Sequence, residues 1–185
     1  AQRKQAEAAR SQAEMARNQA ETARKLAEER LTAAQASQAK AASASARAKS
    51  LEEQLAELKA KQTPRGMVLT LGDVLFDTGR AELNPGAGRT LNQLATFLKE
   101  NPGRSVEIEG YTDSVGSEQM NQTLSEQRAN AVKNALMYRG VASNRISARG
   151  FGTANPVASN NTAAGRQQNR RVEVAIYASP EARRA

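Results

Sequence analysis

Two hydrophobic periodicities divide this chain. In the first part Ala6, Ala9, Ala13, Ala16, Ala20, Ala23 and Ala27 recur in steps of three and four, the seam spacing of a coiled coil. The underlying repeat has a period of seven: Arg3-Lys-Gln-Ala-Glu-Ala-Ala, Arg10-Ser-Gln-Ala-Glu-Met-Ala and Arg17-Asn-Gln-Ala-Glu-Thr-Ala, followed by Arg24-Lys-Leu-Ala-Glu-Glu-Arg. A strict heptad predicts a left-handed supercoil. Arg3, Arg10, Arg17 and Arg24 each precede a glutamate by four positions, which supports helix by about 0.2–0.5 kcal/mol per pair. Beyond Leu31 the repeat decays into alanine, serine and glutamine, and a firmer seam returns with Leu51, Leu55 and Leu58. With neither Pro nor Gly before Pro64, the pattern allows one helix of about sixty residues, roughly 90 Å long at about 1.5 Å per residue. A helical hairpin turning at Ser37 to Ser45 is the competing arrangement. Alanine buries little area, so the seam predicts weak association with a second copy or a partner helix through residues 6–58.

Thr63-Pro64-Arg65-Gly66 breaks the helix, and the period changes. Met67 to Leu71 reads as a strand, with residues 72–79 as its end and the following loop. Asn84-Pro85 opens a helix whose buried face is Leu91, Leu94, Ala95 and Leu98, and Asn101-Pro102-Gly103 stops it. Ser105 to Tyr111 alternates, with Val106, Ile108 and Gly110 on one face and Glu107, Glu109 and Tyr111 on the other. A second helix follows the Gly116/Ser117 loop, carries Leu124, Ala131, Val132, Ala135 and Leu136 as its buried stripe, and ends near Arg139-Gly140. Arg145 to Phe151 is a third strand. Gly152 to Gln168 is a long loop, and Val172, Val174 and Ile176 alternate with Arg171, Glu173 and Ala175 in a last strand with one buried face. The predicted organisation is a helical arm at 1–63, a globular α+β domain at 64–179 that folds alone, and a mobile tail at 180–185.

Composition removes several classes of function. The 185 residues include no Cys, His or Trp, which excludes disulfides, Cys/His metal sites, a histidine base and a cysteine nucleophile. No carboxylate pair stands out, so the chain reads as neither an enzyme nor a metal or cofactor protein. The net charge of +8 divides evenly: 12 basic and 8 acidic residues up to Thr63, 15 and 11 after it, +4 in each part. Without a basic pole, and with three Tyr and three Phe scattered, nucleic acid is not an expected partner. No apolar run reaches 18 residues, so no membrane span is expected. The start at Ala1, without Met or a leader, suggests a fragment or a processed form, with membrane attachment only through an anchor outside this chain.

Candidate chemistry gathers at one strand exit. Asp113 follows the strand ending in Gly110-Tyr111-Thr112, and Asn121, Leu124, Ser125 and Arg128 share one face of the helix after it. Arg128 stands at the edge of an apolar stripe, where a lone guanidinium needs partners. The pair Asp113 and Arg128 fits either a structural salt bridge or a ligand site with one anion and one cation.

These residues also carry a family resemblance. Gly110-Tyr111-Thr112-Asp113, Asn121 to Ala129, Gly140-Val141, Arg149 to Gly152, Asn155-Pro156, Asn160 and Gly165 to Glu173 resemble the OmpA-like C-terminal domain, over roughly residues 67–178. This is the peptidoglycan-binding module of outer-membrane proteins, peptidoglycan-associated lipoproteins and flagellar-motor stator proteins. The elements read from the periodicity run β-α-β-α-β-β, and the resemblance implies their arrangement in a mixed sheet with two helices on one face. It also implies a periplasmic, outer-membrane-associated place and noncovalent binding of peptidoglycan through the diaminopimelate of its stem peptide, with no turnover. Asp113 is then assigned to the ligand's ammonium and Arg128 to its carboxylate, with Asn121, Leu124, Phe76 and Asp77 lining the groove and Thr112 adding a hydrogen bond. Arg166, Asn169 and Arg170 are secondary candidates in a segment read mainly as turn and strand entry. The resemblance leaves open a component of a flagellar or secretion complex in which the arm is the working part.

Overall fold

The computed structural model describes residues 2–72 and 75–178. Asp73 and Val74, inside the expected loop after the first strand, and the tail at 180–185 lie outside the described residues. By its internal contacts the chain separates into two compact units, 1–52 and 53–185.

The first unit is a single element. Helix α1, Gln2–Glu57, is unbroken, so no hairpin forms at Ser37 to Ser45. Alanine, glutamine, glutamate, lysine and arginine are all strong helix formers, and Glu21 pairs with Lys25 one turn on at 3.0 Å. Every described side chain from Arg3 to Ser50 is exposed.

Helix α1 stops before the break expected at Thr63, and the cause is tertiary. Leu55 and Leu58 are buried inside the second unit. Lys59 adopts a left-handed conformation at φ 57°, while the amides of Lys59 and Ala60 close on the carbonyls of Ala56 and Leu55 at 2.9 and 3.1 Å. Thr63-Pro64-Arg65-Gly66 is therefore a hairpin turn within the sheet. Strand β1, Lys61–Thr63, pairs antiparallel with β2, Gly66–Leu71. The Thr63 hydroxyl donates to the Gly66 carbonyl (2.9 Å) and accepts from the Arg65 amide (3.2 Å).

The remaining elements are α2 (Ala87–Glu100), β3 (Ser105–Gly110), α3 (Glu118–Tyr138), a short 3-10 turn (Ser143–Arg145), β4 (Ile146–Gly150), α4 (Ala163–Asn169) and β5 (Val172–Tyr177). They contain the expected β-α-β-α-β-β order with β1 and α4 added. Thr162 caps α4 by accepting from the Gly165 amide at 3.0 Å, a helix start masked in the sequence by its long loop setting. The sheet is mixed, in the order β1-β2-β5-β3-β4, with β3 and β4 parallel and the other pairs antiparallel.

Register aligns Leu69, Val174 and Ile108 in one row and Leu71, Val172, Gly110 and Gly150 in the next. The two main helices lie on this face, burying Leu91, Leu94 and Leu98 from α2 and Val132 and Leu136 from α3. Contact with α3 is close. A Cβ added at Gly110 would sit 2.0 Å from the Ser125 carbonyl oxygen, and one at Gly150 would sit 2.3 Å from the Glu126 nitrogen. The α2 terminus is closed by Arg145, whose guanidinium donates to the carbonyls of Leu98, Asn101 and Arg104.

The opposite face is not the solvated one that alternation predicts. Arg171, Glu173 and Ala175 are buried together with Glu109. Buried charges need partners. Arg65 reaches from the hairpin turn to bridge Glu109 and Glu173, and Arg171 pairs with Glu173 at 2.7 Å. The Arg171 guanidinium lies 4.0 Å from the ring centroid of Tyr111, which stacks on Phe151 at 5.4 Å. Burial, reinforced by the 2.9 Å bond that its hydroxyl donates to Glu109, pushes the Tyr111 phenol up to about 12.

Candidate functional site

The pairing of β3 does not end at Gly110. Tyr111 and Thr112 donate their amides to the carbonyls of Arg171 (2.9 Å) and Gly152 (2.8 Å), so Asp113 leaves the sheet from a fixed backbone. Its Oδ1 accepts from the Val115 amide at 2.9 Å. Its Oδ2 accepts from Nη1 of Arg170 at 2.9 Å. The loop turns at Gly116, with φ +97°, a conformation that favours glycine, and Ser117 caps α3 by accepting from the Met120 amide.

Helix α3 is held against this exit by the two sheet glycines and by Ser125. The Ser125 hydroxyl accepts from the Gly152 amide (2.9 Å) and donates to the Gln122 carbonyl (2.8 Å). That contact fixes the face carrying Asn121, Leu124 and Arg128. Asn121 donates to the Val115 carbonyl at 3.0 Å and thereby braces the loop. Arg128 is 2% exposed. Its Nε donates to the Arg80 carbonyl (2.9 Å), its Nη2 to the Asp77 carbonyl (3.3 Å), and its guanidinium carbon lies 5.3 Å from the centroid of Phe76.

A hollow of about 300 Å³ opens between these elements, lined by Thr112, Asp113, Asn121, Leu124, Arg128, Arg166 and Arg170, and by Thr78, Gly79 and Val115. Seven of the ten candidates thus meet around one space. Phe76 is buried beneath Arg128, and the Asp77 side chain is exposed, so this pair acts through a ring and a backbone carbonyl. Asn169 does not line the hollow. Fully buried, it accepts from the amides of Val157 and Ala158 and donates to Ala158 and Asn160, tying the long loop together. Thr78, Gly79 and Val115 were missed by sequence reasoning. Position beside Phe76-Asp77 and Asp113 was the available signal, but side chains this ordinary carry no chemical mark.

The charge balance is informative. One carboxylate, Asp113, faces three guanidiniums, those of Arg128, Arg166 and Arg170. The Thr112 hydroxyl is buried in the wall without a hydrogen-bond partner among the described residues, a group that a ligand can satisfy. The arrangement suits a ligand carrying carboxylates and an ammonium. Among the described residues no group of His, Cys, Asp and Glu could hold a metal ion.

A five-stranded mixed sheet with two helices on one face and an arginine-rich hollow at a strand exit defines the class, and the chain belongs to the OmpA family, which matches residues 75–170. Among curated relatives it is 43% identical over 136 residues to the probable lipoprotein YiaD of Escherichia coli, covering 68% of this chain and 62% of that protein. It is 45% identical over 108 residues to the peptidoglycan-binding protein ArfA of Mycobacterium tuberculosis, covering 58% of this chain and 33% of that protein. The chain therefore spans less than two thirds of either relative. Among solved structures, the peptidoglycan-associated lipoprotein of Burkholderia pseudomallei superposes with a TM-score of 0.55 at 31% identity, over 58% of this chain and 89% of that one. Among the described residues no helix is long and apolar enough to cross a membrane.

Proposed function

We propose that residues 53–185 bind peptidoglycan noncovalently in the periplasm, by gripping the free end of diaminopimelate in a stem peptide, and so tether an outer-membrane-associated protein to the cell wall. The observation that carries this is the convergence of Asp113 with Arg128, Arg166 and Arg170 on one hollow. The ammonium goes to Asp113, and the side-chain carboxylate to the planar donors of Arg128. Two relatives whose names state peptidoglycan binding or association support the reading. The test is co-sedimentation with purified sacculi: the parent chain should pellet, and Asp113→Ala and Arg128→Ala, shown folded by their melting, should remain in the supernatant. Retention of both variants on sacculi would sink the assignment.

The arm supports a second component of function. Its seam from Ala6 to Leu51 is fully or partly open to solvent, and we assign it to weak self-association or to a partner helix of an envelope complex. In the alternative role the wall domain only parks the molecule and the arm is the working part. Capture of an envelope component by residues 1–52 alone, as effectively as by the whole chain, would favour that role.

A further inference from the structure

Past a wall formed by Gly79, Val115, Asn121 and Leu124, the site continues into a second hollow of about 460 Å³. Ser117, Gln119, Met120, Thr123 and Gln127 complete its lining. The two spaces differ in kind. Asp113, Arg128, Arg166 and Arg170 line the first, whereas the second has no charged and no aromatic side chain. Its groups are amides, hydroxyls and aliphatic chains.

Val115 stands at the junction, 64% exposed, and Met120 beyond it is 68% exposed. Val115 is not displayed by a loose loop. Its amide is held by Asp113 and its carbonyl by Asn121, with Gly116 turning the chain just after it. Val115 and Met120 thus give the second hollow two exposed apolar side chains, the first of them on a braced backbone.

We propose that this second hollow receives the small neutral residue on the carboxyl side of the diamino acid, the D-alanine of the stem peptide, while the acidic residue on the amino side lies toward Arg166 and Arg170. This polarity rests on the diaminopimelate reading above. An anionic residue finds guanidiniums only in the first hollow. An alanyl methyl finds Val115 and Met120 in the second, and its peptide group finds the amides of Gln119 and Gln127. The ligand thus crosses the site in one direction, set by charge on one side and by its absence on the other.

The experiment is calorimetry on the full chain with two C-terminally amidated stem peptides of equal charge, one ending at diaminopimelate and one extended by D-alanine. Burial of a methyl group predicts about three- to fivefold tighter binding of the longer peptide. Met120→Gln should reduce that gain and Thr123→Trp, which fills the hollow from an exposed helix position, should abolish it. Both variants should bind the shorter peptide as the parent does. Equal affinity of the parent for the two peptides, or a gain that survives Thr123→Trp, overturns the proposal alone. Failure of both peptides to bind overturns the diaminopimelate reading and this polarity with it.

Discussion

Arg170, at the end of α4, donates a 2.9 Å bond to Oδ2 of Asp113, which lies 57 positions earlier at the exit of β3. The carboxylate is thereby oriented from two sides, by this guanidinium and by the Val115 amide on Oδ1. Arg128 approaches the same hollow from α3, anchored on the carbonyls of Asp77 and Arg80. Under the proposed diaminopimelate reading the two arginines have different work: Arg170 would position the anion that meets the ammonium, and Arg128 would meet the ligand's carboxylate.

That division predicts different selectivities. A stem peptide with lysine in place of diaminopimelate keeps the ammonium and loses the carboxylate. A charge-assisted hydrogen bond contributes about 1.5–3 kcal/mol, and about 1.4 kcal/mol is tenfold in affinity, so the parent should bind the lysine peptide at least tenfold more weakly. Arg128→Ala should lose affinity together with most of that discrimination. Arg170→Ala and Asp113→Ala should weaken both peptides alike and leave the discrimination in place. Calorimetry on two peptides and three variants decides it. Equal affinity of the parent for both peptides would show that the carboxylate is not read.

The contact between α3 and the sheet is expected to be unforgiving. A methyl group at Gly110 or Gly150 meets backbone atoms of Ser125 and Glu126, which have no flexible end to move aside. Gly110→Ala or Gly150→Ala should cost about 3 kcal/mol or more and displace Arg128 along with its helix. Chemical denaturation reads the first effect and peptide affinity the second. A fully stable Gly110→Ala variant with native affinity would contradict the close approach.

Burial of Leu55 and Leu58 moves the useful boundary of the domain toward residue 53. The amide of Gln54 points the same way, donating to Glu100 and accepting from Asn101. A fragment of residues 53–185 should melt cooperatively and at a higher temperature than one of residues 64–185, which lacks both leucines, β1 and the start of its hairpin turn. Leu58→Ala in the longer fragment should cost about 2–4 kcal/mol. Equal melting temperatures for the two fragments would place these leucines outside the cooperative unit.

Tyr111 predicts a pH dependence with a definite sign. Its phenol is raised from 10.0 unfolded to about 12 folded, because burial disfavours the phenolate. Its contribution is complete below pH 10 and is lost as pH rises from 10 through 12. Denaturation midpoints measured between pH 8 and 12 should fall more steeply in that window for the parent than for Tyr111→Phe. Parallel curves for the two proteins would remove Tyr111 as the cause.

The arm gives a prediction independent of the domain. Ala13→Glu with Ala20→Glu places carboxylates in the seam without adding Pro or Gly, so the helix should persist and association should not. Sedimentation velocity at rising concentration should show the parent associating and the double variant monomeric, with circular dichroism reporting unchanged helix content. A parent that stays monomeric throughout would overturn self-association through the seam and leave α1 a lone helix under these conditions.

The amino-acid order by itself determined what is local and periodic. The heptad from Arg3 to Arg30 specifies helix, the alternation in Ser105 to Tyr111 and Val172 to Tyr177 specifies strand, and the Asn121 to Arg128 spacing places four side chains on one helix face. All of these appear in the structure, because 3.6- and 2-residue periods act within a few neighbours. Only the tertiary structure decided the rest. Helix α1 ends at Glu57 because Leu55 and Leu58 enter the core of the second unit. Lys61 to Thr63 becomes a strand because β2 is there to pair with it. Arg171 and Glu173, polar by pattern and exposed by expectation, are buried because Arg65 and Tyr111 arrive from other strands and turns to satisfy them. The same reason governs the site: Asp113 precedes Arg170 by 57 positions, and no period in the chain connects them. What joins the two is the order β2-β5-β3-β4 of the sheet, a property of long-range hydrogen bonding that no local pattern carries.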